Sequence, residues 1–461
     1  MVDTTRMDDE SLARAIAKAV SHEGGRTYYV GGFVRDQILG RHSKDVDIEV
    51  FGVPVSDLEE LLAGFGEVTT VGASFGIFNL KGHTLDIAVP RRAGTDHRGG
   101  KNDLAEVADP SLSTREAALR RDLTMNALYQ DVLTGEVVDL VGGRADMEAG
   151  VIRHVDDDTF AEDPLRVMRV AQFAARFDMT VDASTVALCS RLDLSDLPFE
   201  RVQEELRKAL LKAERPSVFF EVLRDMHQLD PWFVEVRALE GVPQNPMYHP
   251  EGDVWAHTML VLDAAAHQRD EASDPFAFML SALCHDFGKA ATTGELDGRV
   301  ISYGHEKAGE PLAEAFLDRL GVSGFVRAYV LNMVSLHMAP NALVAQGARR
   351  KAFNHLFDQS VCPRDLLRLA RADDLGRGFE RDRTDEDAEL LERLRSFEEL
   401  MARPFVQGRD LVAQGMDPGP MMGEVLRYVH KLRLAGLSKD DQLRQGLGFW
   451  RGLLRERGME G

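Results

Sequence analysis

The chain has 461 residues, 44% hydrophobic and 28% charged, and a formal net charge of −21. This length predicts two to four domains with ample cores. The negative charge argues against a broad surface that coats nucleic acid, so an RNA partner would need a local basic stripe.

No apolar run approaches the about 18 residues of a membrane span, and the polar, acidic residues 1–10 are not expected to be a signal peptide. The three cysteines, Cys189, Cys284 and Cys362, have neither metal-site nor disulfide spacing. Scattered thiols are typical of a reducing compartment. We therefore expect a cytoplasmic protein without a membrane partner.

The first predicted elements are a helix over residues 9–24 and a short apolar strand over residues 28–30. The strand runs into Gly31 and Gly32, where the backbone can approach a ligand closely and offer its amides to phosphate oxygens. A helix should start at about Val34. Its free N–H groups, with the charge of Arg35, favour an anion.

The next stretch alternates in polarity, which predicts a strand over residues 45–50 with Asp45 and Asp47 on one face. Carboxylates about 6–7 Å apart along a strand repel each other unless a cation lies between them. A two-Mg²⁺ phosphoryl-transfer site needs this arrangement. Taken alone, a glycine pair is more often a plain turn, and an Asp-x-Asp pair is more often a solvated face.

A helix capped by Ser56 is expected over residues 53–66. Three short strands should follow, at 68–71, 77–80 and 84–89. If the last strand lies beside the Asp47 strand, Asp86 can join the two aspartates; otherwise it is an edge charge. Residues 91–108, rich in glycine and charge, predict a mobile loop.

Ser113 and Glu116 have the spacing of a capping box and open a helix that is expected to continue through residue 128. Arg121, Asp122 and Asn126 would then share one face of that helix. An ordinary polar helix face is the alternative to a binding role.

The order Gly-Gly, Arg-Asp, Asp-x-Asp and then Arg-Arg-Asp-Leu-Thr-Met-Asn-Ala (residues 120–127) resembles the head of the nucleotidyltransferase superfamily, specifically class II CCA-adding enzymes and bacterial poly(A) polymerases. Leu123 and Met125 replace Phe and Ile of the family string. The resemblance implies three groups of residues: metal-binding catalytic carboxylates at Asp45 and Asp47, with Asp86 as a third; a triphosphate site at Gly31, Gly32, Arg35 and Asp36; and contacts to the nucleotide near its ribose from Arg121, Asp122 and Asn126.

The string Glu162-Asp163-Pro164-Leu165-Arg166 opens another predicted helix. Asp accepts from an exocyclic amine and Arg donates to a ring nitrogen or carbonyl, so Asp163 and Arg166, presented side by side, can imitate the pairing edge of a template base. A capping Asp beside a surface Arg is the alternative. The string resembles the amino-acid template of class II CCA-adding enzymes, which implies nucleotide binding by Asp163, Arg166 and Arg169. Residues 199–206 resemble the neck motif that follows and imply a buried polar brace.

Prolines mark a linker over residues 241–252. Beyond it, imidazoles and carboxylates that suit a divalent metal lie in apolar, helix-like segments. A lone histidine there would more often be a core residue. The order His257, His285-Asp286, Asp373, with Gly288-Lys289 after the doublet, resembles the HD phosphohydrolase superfamily. The resemblance implies a metal site at these four residues, and His305 and His337 lie where some HD proteins place extra ligands.

An acidic linker over residues 380–392 should lead to a helical tail, whose basic residues Arg427, Lys431 and Arg433 form either a solvated face or a tRNA-contacting stripe. The expected fold is α+β. It comprises a head with a small mixed β-sheet at 1–150, a helical neck at 151–240, a helical HD domain at 241–378 and a helical tail at 379–461.

The resemblance implies a bacterial CCA-adding tRNA nucleotidyltransferase that uses CTP, ATP and the tRNA 3′ end, with Mg²⁺ in the head. The HD domain would use a divalent metal of unknown identity to hydrolyse phosphate esters, including 2′,3′-cyclic phosphates. The alternative is a poly(A) polymerase or an enzyme that adds only CC or A. The HD domain and the loop at 91–108 count against that alternative.

Overall fold

The computed structural model describes residues 7–41, 43, 45–70, 76–93, 106–378 and 383–457. The chain divides into two compact units: Met1–Ala213 with Val218–Pro231, and Glu214–Ser217 with Trp232–Gly461. The four-domain division expected from the sequence is finer than this and stays a prediction. Lys44, beside the first aspartate, and residues 94–105 of the expected loop lie outside the described residues.

A mixed sheet of seven described strands forms the centre of the first unit. Its strands are β1 (Arg26–Val30), β2 (Asp47–Phe51), β3 (Val68–Thr70), β4 (Ile77–Leu80), β5 (Asp86–Ala88), β8 (Tyr129–Asp131) and β9 (Val137–Val138). Their order is β3-β4-β5-β2-β1-β8-β9, and only the pair β2–β5 is parallel. The two ends of the expected loop pair as β6 (Arg91–Ala93) and β7 (Glu106–Ala108).

Helices surround this sheet and continue beyond it. They are α1 (Asp9–His22), α2 (Gly32–Ile38), α3 (Val55–Ala63), α4 (Thr114–Leu119), α5 (Gly143–Ala149), α6 (Asp157–Ala161), α7 (Leu165–Phe177), α8 (Ala183–Cys189), α9 (Phe199–Lys212) and α10 (Ser217–Asp225). The periodic residues Leu12, Ile16 and Val20 of α1 are fully buried, as their spacing predicted. The capping box of Ser113 and Glu116 is also present.

Two local predictions in this unit are wrong. Ser56 does not cap α3: Pro54 precedes the helix, and the Ser56 hydroxyl donates to the Asp57 carboxylate. The helix that starts after Ser113 does not reach residue 128, because α4 ends at Leu119 and Leu123 adopts an extended conformation.

The second unit is built from helices and one hairpin. Its elements are α11 (Val234–Arg237), α12 (Val254–Ala266), α13 (Pro275–Cys284), α14 (Lys289–Thr292), β12 (Gly294–Leu296), β13 (Arg299–Ile301), α15 (His305–Arg319), α16 (Gly324–Leu336), α17 (Ala339–Ala345), α18 (Arg350–Gln359), α19 (Pro363–Leu375), α20 (Thr384–Ala402), α21 (Gly408–Val412), α22 (Pro420–Leu434) and α23 (Lys439–Glu456). Among the described residues, no helix combines the length and the apolarity needed to span a membrane.

The α+β class is confirmed, but two details after residue 150 differ from the expectation of helices alone. A short parallel pair, β10 (Val151–Ile152) with β11 (Thr180–Val181), lies in the first unit, and the β12–β13 hairpin lies in the second. The expected acidic linker is helical from Thr384 onward, since its acidic residues fill the first turn of α20, where they complement the helix dipole.

Helix α13 is the centre of the second unit. It packs against α12, α16 and α19. Every residue from Phe276 to Cys284 is buried, as expected for a helix that is apolar on all sides. Its carboxyl end therefore delivers the residues that follow it, His285 and Asp286, into the interior.

Candidate active sites

Asp47 and Asp86 face each other across the parallel pair β2–β5, in the register Asp47↔Asp86. This pairing fulfils the condition under which the sequence expected Asp86 to join the aspartates. Asp45 is exposed and precedes β2, so the strand begins at Asp47 and not at residue 45, and the shared face of Asp45 and Asp47 stays a prediction. The side-chain amide of Asn79 on β4 donates to the Asp86 carboxylate.

Electrostatic repulsion is concentrated at Asp47. Burial, the Asp86 charge and, more weakly, Asp45 raise the pKa of Asp47 to about 6, and Arg121 opposes the shift. A carboxylate strained in this way is stabilised by a divalent cation. The three acidic side chains therefore fit a Mg²⁺ site.

The glycine turn lies against this acidic cluster. Gly31 has φ 61°, a conformation that favours glycine, and a Cβ at this position would lie 4.0 Å from Asp47 Oδ2. A cavity of about 230 Å³ adjoins Asp47 and Asp86 and is also lined by Arg120 and Arg121. Backbone, carboxylates and guanidinium groups thus meet at one opening.

Arg35 and Asp36 are buried, and their side chains connect α2 to its surroundings. Arg35 Nη2 lies 2.7 Å from Asp36 Oδ1, and Arg35 Nη1 donates to Asn126 Oδ1 at 2.7 Å. The guanidinium also lies over the rings of Phe173 and Phe177 of α7, 5.2 and 4.8 Å from their centroids. The role of Arg35 and Asp36 toward a triphosphate stays a prediction.

Arg121, Asp122 and Asn126 do not share a helix face. A 3₁₀ turn at Thr124–Asn126 brings Asn126 Nδ2 to 3.1 Å from Asp122 Oδ1, whereas Arg121 Nη2 pairs with Glu49 at 3.1 Å. Arg169 Nε of α7 donates to Asp122 Oδ2 at 2.7 Å. Although burial opposes the shift, Arg169 and Asn126 lower the pKa of Asp122, which therefore stays a charged acceptor.

Asp163 and Arg166 are adjacent but do not bond to each other through their side chains. Asp163 precedes α7, accepts from the Leu165 N–H at 3.1 Å and pairs with Arg201 at 2.8 Å. Arg166 donates to the backbone oxygens of Thr159 and Arg120, each at 2.7 Å. Asp163 thus caps the start of α7, which is one part of the alternative considered above, and the template role of the pair stays a prediction.

The residues of the expected brace lie on α9. Glu205 is buried, 2.9 Å from Lys208 Nζ and 3.8 Å from Arg169 Nη1. Through Arg169, this carboxylate supports the side chain that holds Asp122. The sequence missed Arg201, whose only signal was its position in the neck motif.

The second site brings together all six side chains that the sequence selected for an HD metal centre, and all six are buried. They come from five helices: His257 in α12, His285 and Asp286 after α13, His305 at the start of α15, His337 after α16, and Asp373 in α19. Gly288 permits this convergence, because a Cβ there would lie 1.9 Å from the His305 carbonyl oxygen.

In each of the four histidines, Nδ1 lies within hydrogen-bond distance of an acceptor oxygen. For His285, His305 and His337, Nδ1 lies 2.8, 2.9 and 2.8 Å from the backbone oxygen three residues earlier. A carbonyl oxygen only accepts, so Nδ1 carries a proton in each of these rings, and Nε2 is the nitrogen left to face a metal. For His257 the acceptor is the Glu251 carboxylate, at 2.8 Å.

The candidate ligand atoms form two groups of three, each within 4.8 Å: His257, His285 and Asp373, and Asp286, His305 and His337. Asp286 stands between them. Its Oδ2 lies 3.2 Å from His285 Nε2, and its Oδ1 lies 3.3 Å from His305 Nε2. The arrangement can hold two ions that share Asp286.

Buried atoms at this centre lack hydrogen bonds. His285 Nε2 and both oxygens of Asp286 make none of acceptable geometry with any described residue. Burial lowers the pKa of His337 to about 4, which keeps it neutral. Although burial opposes the shift, Asp373 and Glu251 raise the pKa of His257 to about 9, so a metal binding there displaces a proton. The donor set fits a divalent metal.

Glu251 is the residue of this centre that sequence reasoning missed. Its buried carboxylate accepts from both His257 and His249, each at 2.8 Å. Such a carboxylate behind a histidine fixes the tautomer and increases its basicity as a ligand. The only signal was an acidic residue six positions before His257, within a segment interpreted as a linker.

One of the three basic residues that the sequence named for the tail is buried. Arg433 is buried, donates to the Met401 carbonyl and lies over the Phe405 ring, 3.8 Å from its centroid. It therefore stabilises the tail, and its assignment to an RNA-contacting stripe is wrong. Arg427 and Lys431 stay candidates.

The head sheet and its acidic cluster define a class: nucleotidyltransferases with a poly A polymerase head domain, the family whose model matches residues 27–153. A multifunctional CCA protein from Cupriavidus metallidurans is 37% identical over 431 residues, which are 90% of this chain and 98% of that protein. The chain belongs to the multifunctional CCA protein family. The resemblance drawn from the motifs is thereby confirmed.

Solved structures agree on the fold. The crystal structure of the Bacillus stearothermophilus CCA-adding enzyme in complex with CTP superimposes with a TM-score of 0.66 at 21% identity, over 98% of this chain and 100% of that one. The Thermotoga maritima CCA-adding enzyme complexed with tRNA-CCA gives 0.61 at 19% identity, over 95% and 94%.

Proposed function

We propose that this protein adds or repairs the 3′-terminal CCA of tRNA from CTP and ATP without a nucleic-acid template. The observation that carries the proposal is the pairing of Asp47 with Asp86 beside the Gly31 turn. Membership in the multifunctional CCA protein family supports it, as does the likeness to enzymes solved with CTP and with tRNA.

In the proposed reaction, the tRNA 3′-hydroxyl attacks the α-phosphate of CTP or ATP, and pyrophosphate leaves. Asp45, Asp47 and Asp86 would hold Mg²⁺, which supplies activation of the hydroxyl and neutralises the leaving group. Gly31, Gly32, Arg35 and Asp36 would hold the triphosphate end of the nucleotide.

Three further groups would select the nucleotide. Asp122, held by Asn126 and Arg169, would accept from the ribose, and Arg121 would lie close by. Asp163 and Arg166 would read the base, after exchanging some of their present partners for it. We keep the four domains proposed from the sequence: the head at 1–150, the neck at 151–240, the HD domain at 241–378 and the tail at 379–461.

The proposal is tested with tRNA transcripts that end before CCA, after C and after CC, each incubated with labelled CTP, ATP or both. A CCA-adding enzyme extends each transcript to the same final length and then stops. A poly(A) polymerase gives long tails with ATP alone, and an enzyme that adds only CC or A stalls. Either result would contradict full CCA addition.

We further propose that the second site is a metal-dependent phosphohydrolase acting on phosphate esters, including 2′,3′-cyclic phosphates. The convergence of four Nε2 atoms on Asp286 and Asp373 supports this, since imidazole-rich sites suit transition metals. When bound, the metal supplies an activated water and a Lewis acid. Lys289 Nζ, 2.6 Å from Asp286 Oδ2, balances the negative charge there.

This activity is tested on protein stripped by a chelator and reloaded with Ni²⁺, Mn²⁺, Co²⁺ or Mg²⁺. Ring opening of 2′,3′-cyclic AMP to a monophosphate is expected with at least one metal. Calorimetry of metal binding provides a second readout. A protein that binds metal but opens no cyclic phosphate with any of the four would contradict the proposal.

A further inference from the structure

A cavity of about 840 Å³ lies at the metal-ligand cluster of the second unit. Asp286, His305 and Asp373 line its inner part. Its volume falls in the upper range of pockets that enclose whole small molecules, about 300–1,000 Å³. The cavity has room for much more than a phosphate group.

Two exposed aromatic rings lie at this cavity. Among the described residues, four aromatic side chains are strongly exposed: Phe199, Tyr248, Tyr303 and Phe325. Tyr248 is 56% exposed and Tyr303 is 78% exposed, and both line the cavity. They come from separate segments, before α12 and after the β12–β13 hairpin. Rings this exposed add little to the core, but they offer flat surfaces to a ligand.

Cationic groups line the same cavity. Arg299 is exposed and has no ion-pair partner among the described residues. Arg377 Nη1 lies 3.6 Å from Asp374 Oδ1, but its Nε is buried without a hydrogen-bond partner among those residues. Glu306 is the acidic lining residue outside the metal-ligand set. The combination of aromatic rings, arginines and a metal-ligand cluster suits a ligand that has both a base and a phosphate.

We infer that Tyr248 and Tyr303 hold the base of the ribonucleotide ester whose phosphate lies at the metal-ligand end of this cavity. The base stacks on Tyr248 or Tyr303, and the phosphate lies at the metal-ligand end, where Arg377 also lines the wall. The inference rests on the proposed hydrolytic function. Since every base has a π-face, stacking gives affinity with little base preference, which suits a site that accepts any RNA end.

The test compares two substrates that share one reacting group, 2′,3′-cyclic AMP and glycerol 1,2-cyclic phosphate. Both contain a five-membered cyclic phosphodiester, but only the first has a base. In the full-length, metal-loaded protein, Tyr303→Ala and Tyr248→Ala together should raise KM for cyclic AMP about tenfold or more. The KM for the glycerol ester should not change, and the Phe replacements should restore the original values.

Phe325→Ala is the matched control, because the exposure of Phe325, 64%, lies between those of the two tyrosines, and Phe325 does not line the cavity. An oligoribonucleotide ending in a 2′,3′-cyclic phosphate, assayed in parallel, distinguishes an RNA end from a free nucleotide as the source of the base. A double variant with an unchanged ratio of the two KM values would overturn the inference.

The hydrolytic proposal can fail separately. If the wild-type protein opens neither cyclic ester, that proposal is wrong, and calorimetry with adenosine 2′-phosphate and inorganic phosphate then decides the inference. Nucleotide binding that weakens in the double variant, with phosphate binding unchanged, supports it. Equal binding by both proteins refutes it.

Discussion

At the scale of single residues, Asp47 shows how a candidate catalytic position conflicts with stability. Its folded-state pKa of about 6 exceeds the ordinary aspartate value, so the folded protein holds this proton more tightly than the unfolded chain does. Ionised Asp47 therefore destabilises the metal-free fold above about pH 6. The penalty shrinks as the pH falls from about 6 to about 4, and it is absent below that range, where the carboxyl is protonated in both states.

Asp47→Asn should remove this penalty and raise the free energy of unfolding of the metal-free protein by about 1–2 kcal/mol at pH 7.5, with a smaller gain at pH 5. Nucleotide addition should fall by orders of magnitude, because a metal-holding carboxylate is lost. Thermal melting in chelator at both pH values, together with a tRNA extension assay, measures the two effects.

Asp45→Asn is the control for this experiment. Asp45 is exposed, so its replacement should change stability little while also abolishing addition. A folded Asp47→Asn protein with near-native addition would rule out the proposed metal site, and equal gains in stability at pH 7.5 and pH 5 would contradict the pKa argument.

At the scale of elements, periodic patterns predicted α1, β4 and β5 well because each has one buried face. The 120–128 string was misassigned because Leu123, Met125, Ala127 and Leu128 are all buried, which matches no single helix face. Leu123 instead pairs with His154 in an isolated bridge. A partner 31 positions away leaves no trace in local periodicity.

The two candidate sites show the same contrast between what local sequence predicts and what only the folded chain determines. The order of motifs selected six candidate metal ligands in the second unit, and all six side chains converge. Glu251 and Arg201 escaped notice because each acts by holding another side chain, and only the folded chain brings the partners together. The template pair was placed on a helix face, but Asp163 lies just ahead of α7.

The second prediction concerns nucleotide selectivity and Arg166, which lies in the first turn of α7. Arg166→Ala should relax the choice of CTP and ATP over UTP and GTP by about tenfold, since a base-directed contact is worth about 1–3 kcal/mol. The values of kcat/KM for all four nucleotides measure the selectivity. Because Arg166 also donates to two backbone oxygens, melting should confirm that the variant is folded.

Arg153→Ala is a suitable comparison for this variant, because Arg153 is another paired arginine of the first unit, bound to Asp146 and Asp182. It should leave the nucleotide ratios unchanged. If Arg166→Ala slows all four nucleotides by the same factor, the template assignment is wrong and the residue is structural.

At the scale of the whole molecule, the two candidate sites share no residue and belong to different compact units. A substitution that abolishes the activity of one site should therefore leave the activity of the other intact.

The net charge of −21 means that any RNA contact must be local and sensitive to salt.

The double variant His285→Ala/Asp286→Ala should lose the metal of the second site and all opening of 2′,3′-cyclic AMP. It should still extend tRNA, because that reaction is assigned to carboxylates of the first unit. Metal calorimetry, hydrolysis and extension are measured on one preparation, after thermal melting has shown that the unliganded centre still folds.

Glu314→Ala/Asp318→Ala, on the polar side of α15 and outside both sites, provides a double replacement for comparison. If a folded His285→Ala/Asp286→Ala protein stopped extending tRNA yet continued to open the cyclic phosphate, the assignment of two separate sites would be overturned.

The pairing of Asp47 with Asp86 makes the chemistry of the head depend on strand register. Successive side chains of a strand point to opposite faces, so a shift of one residue between β2 and β5 would turn Asp86 away from Asp47. Length changes between the two strands are therefore tolerable only in the connecting turns. Within β5 itself, one inserted or deleted residue should abolish the proposed nucleotide addition even if the sheet still formed.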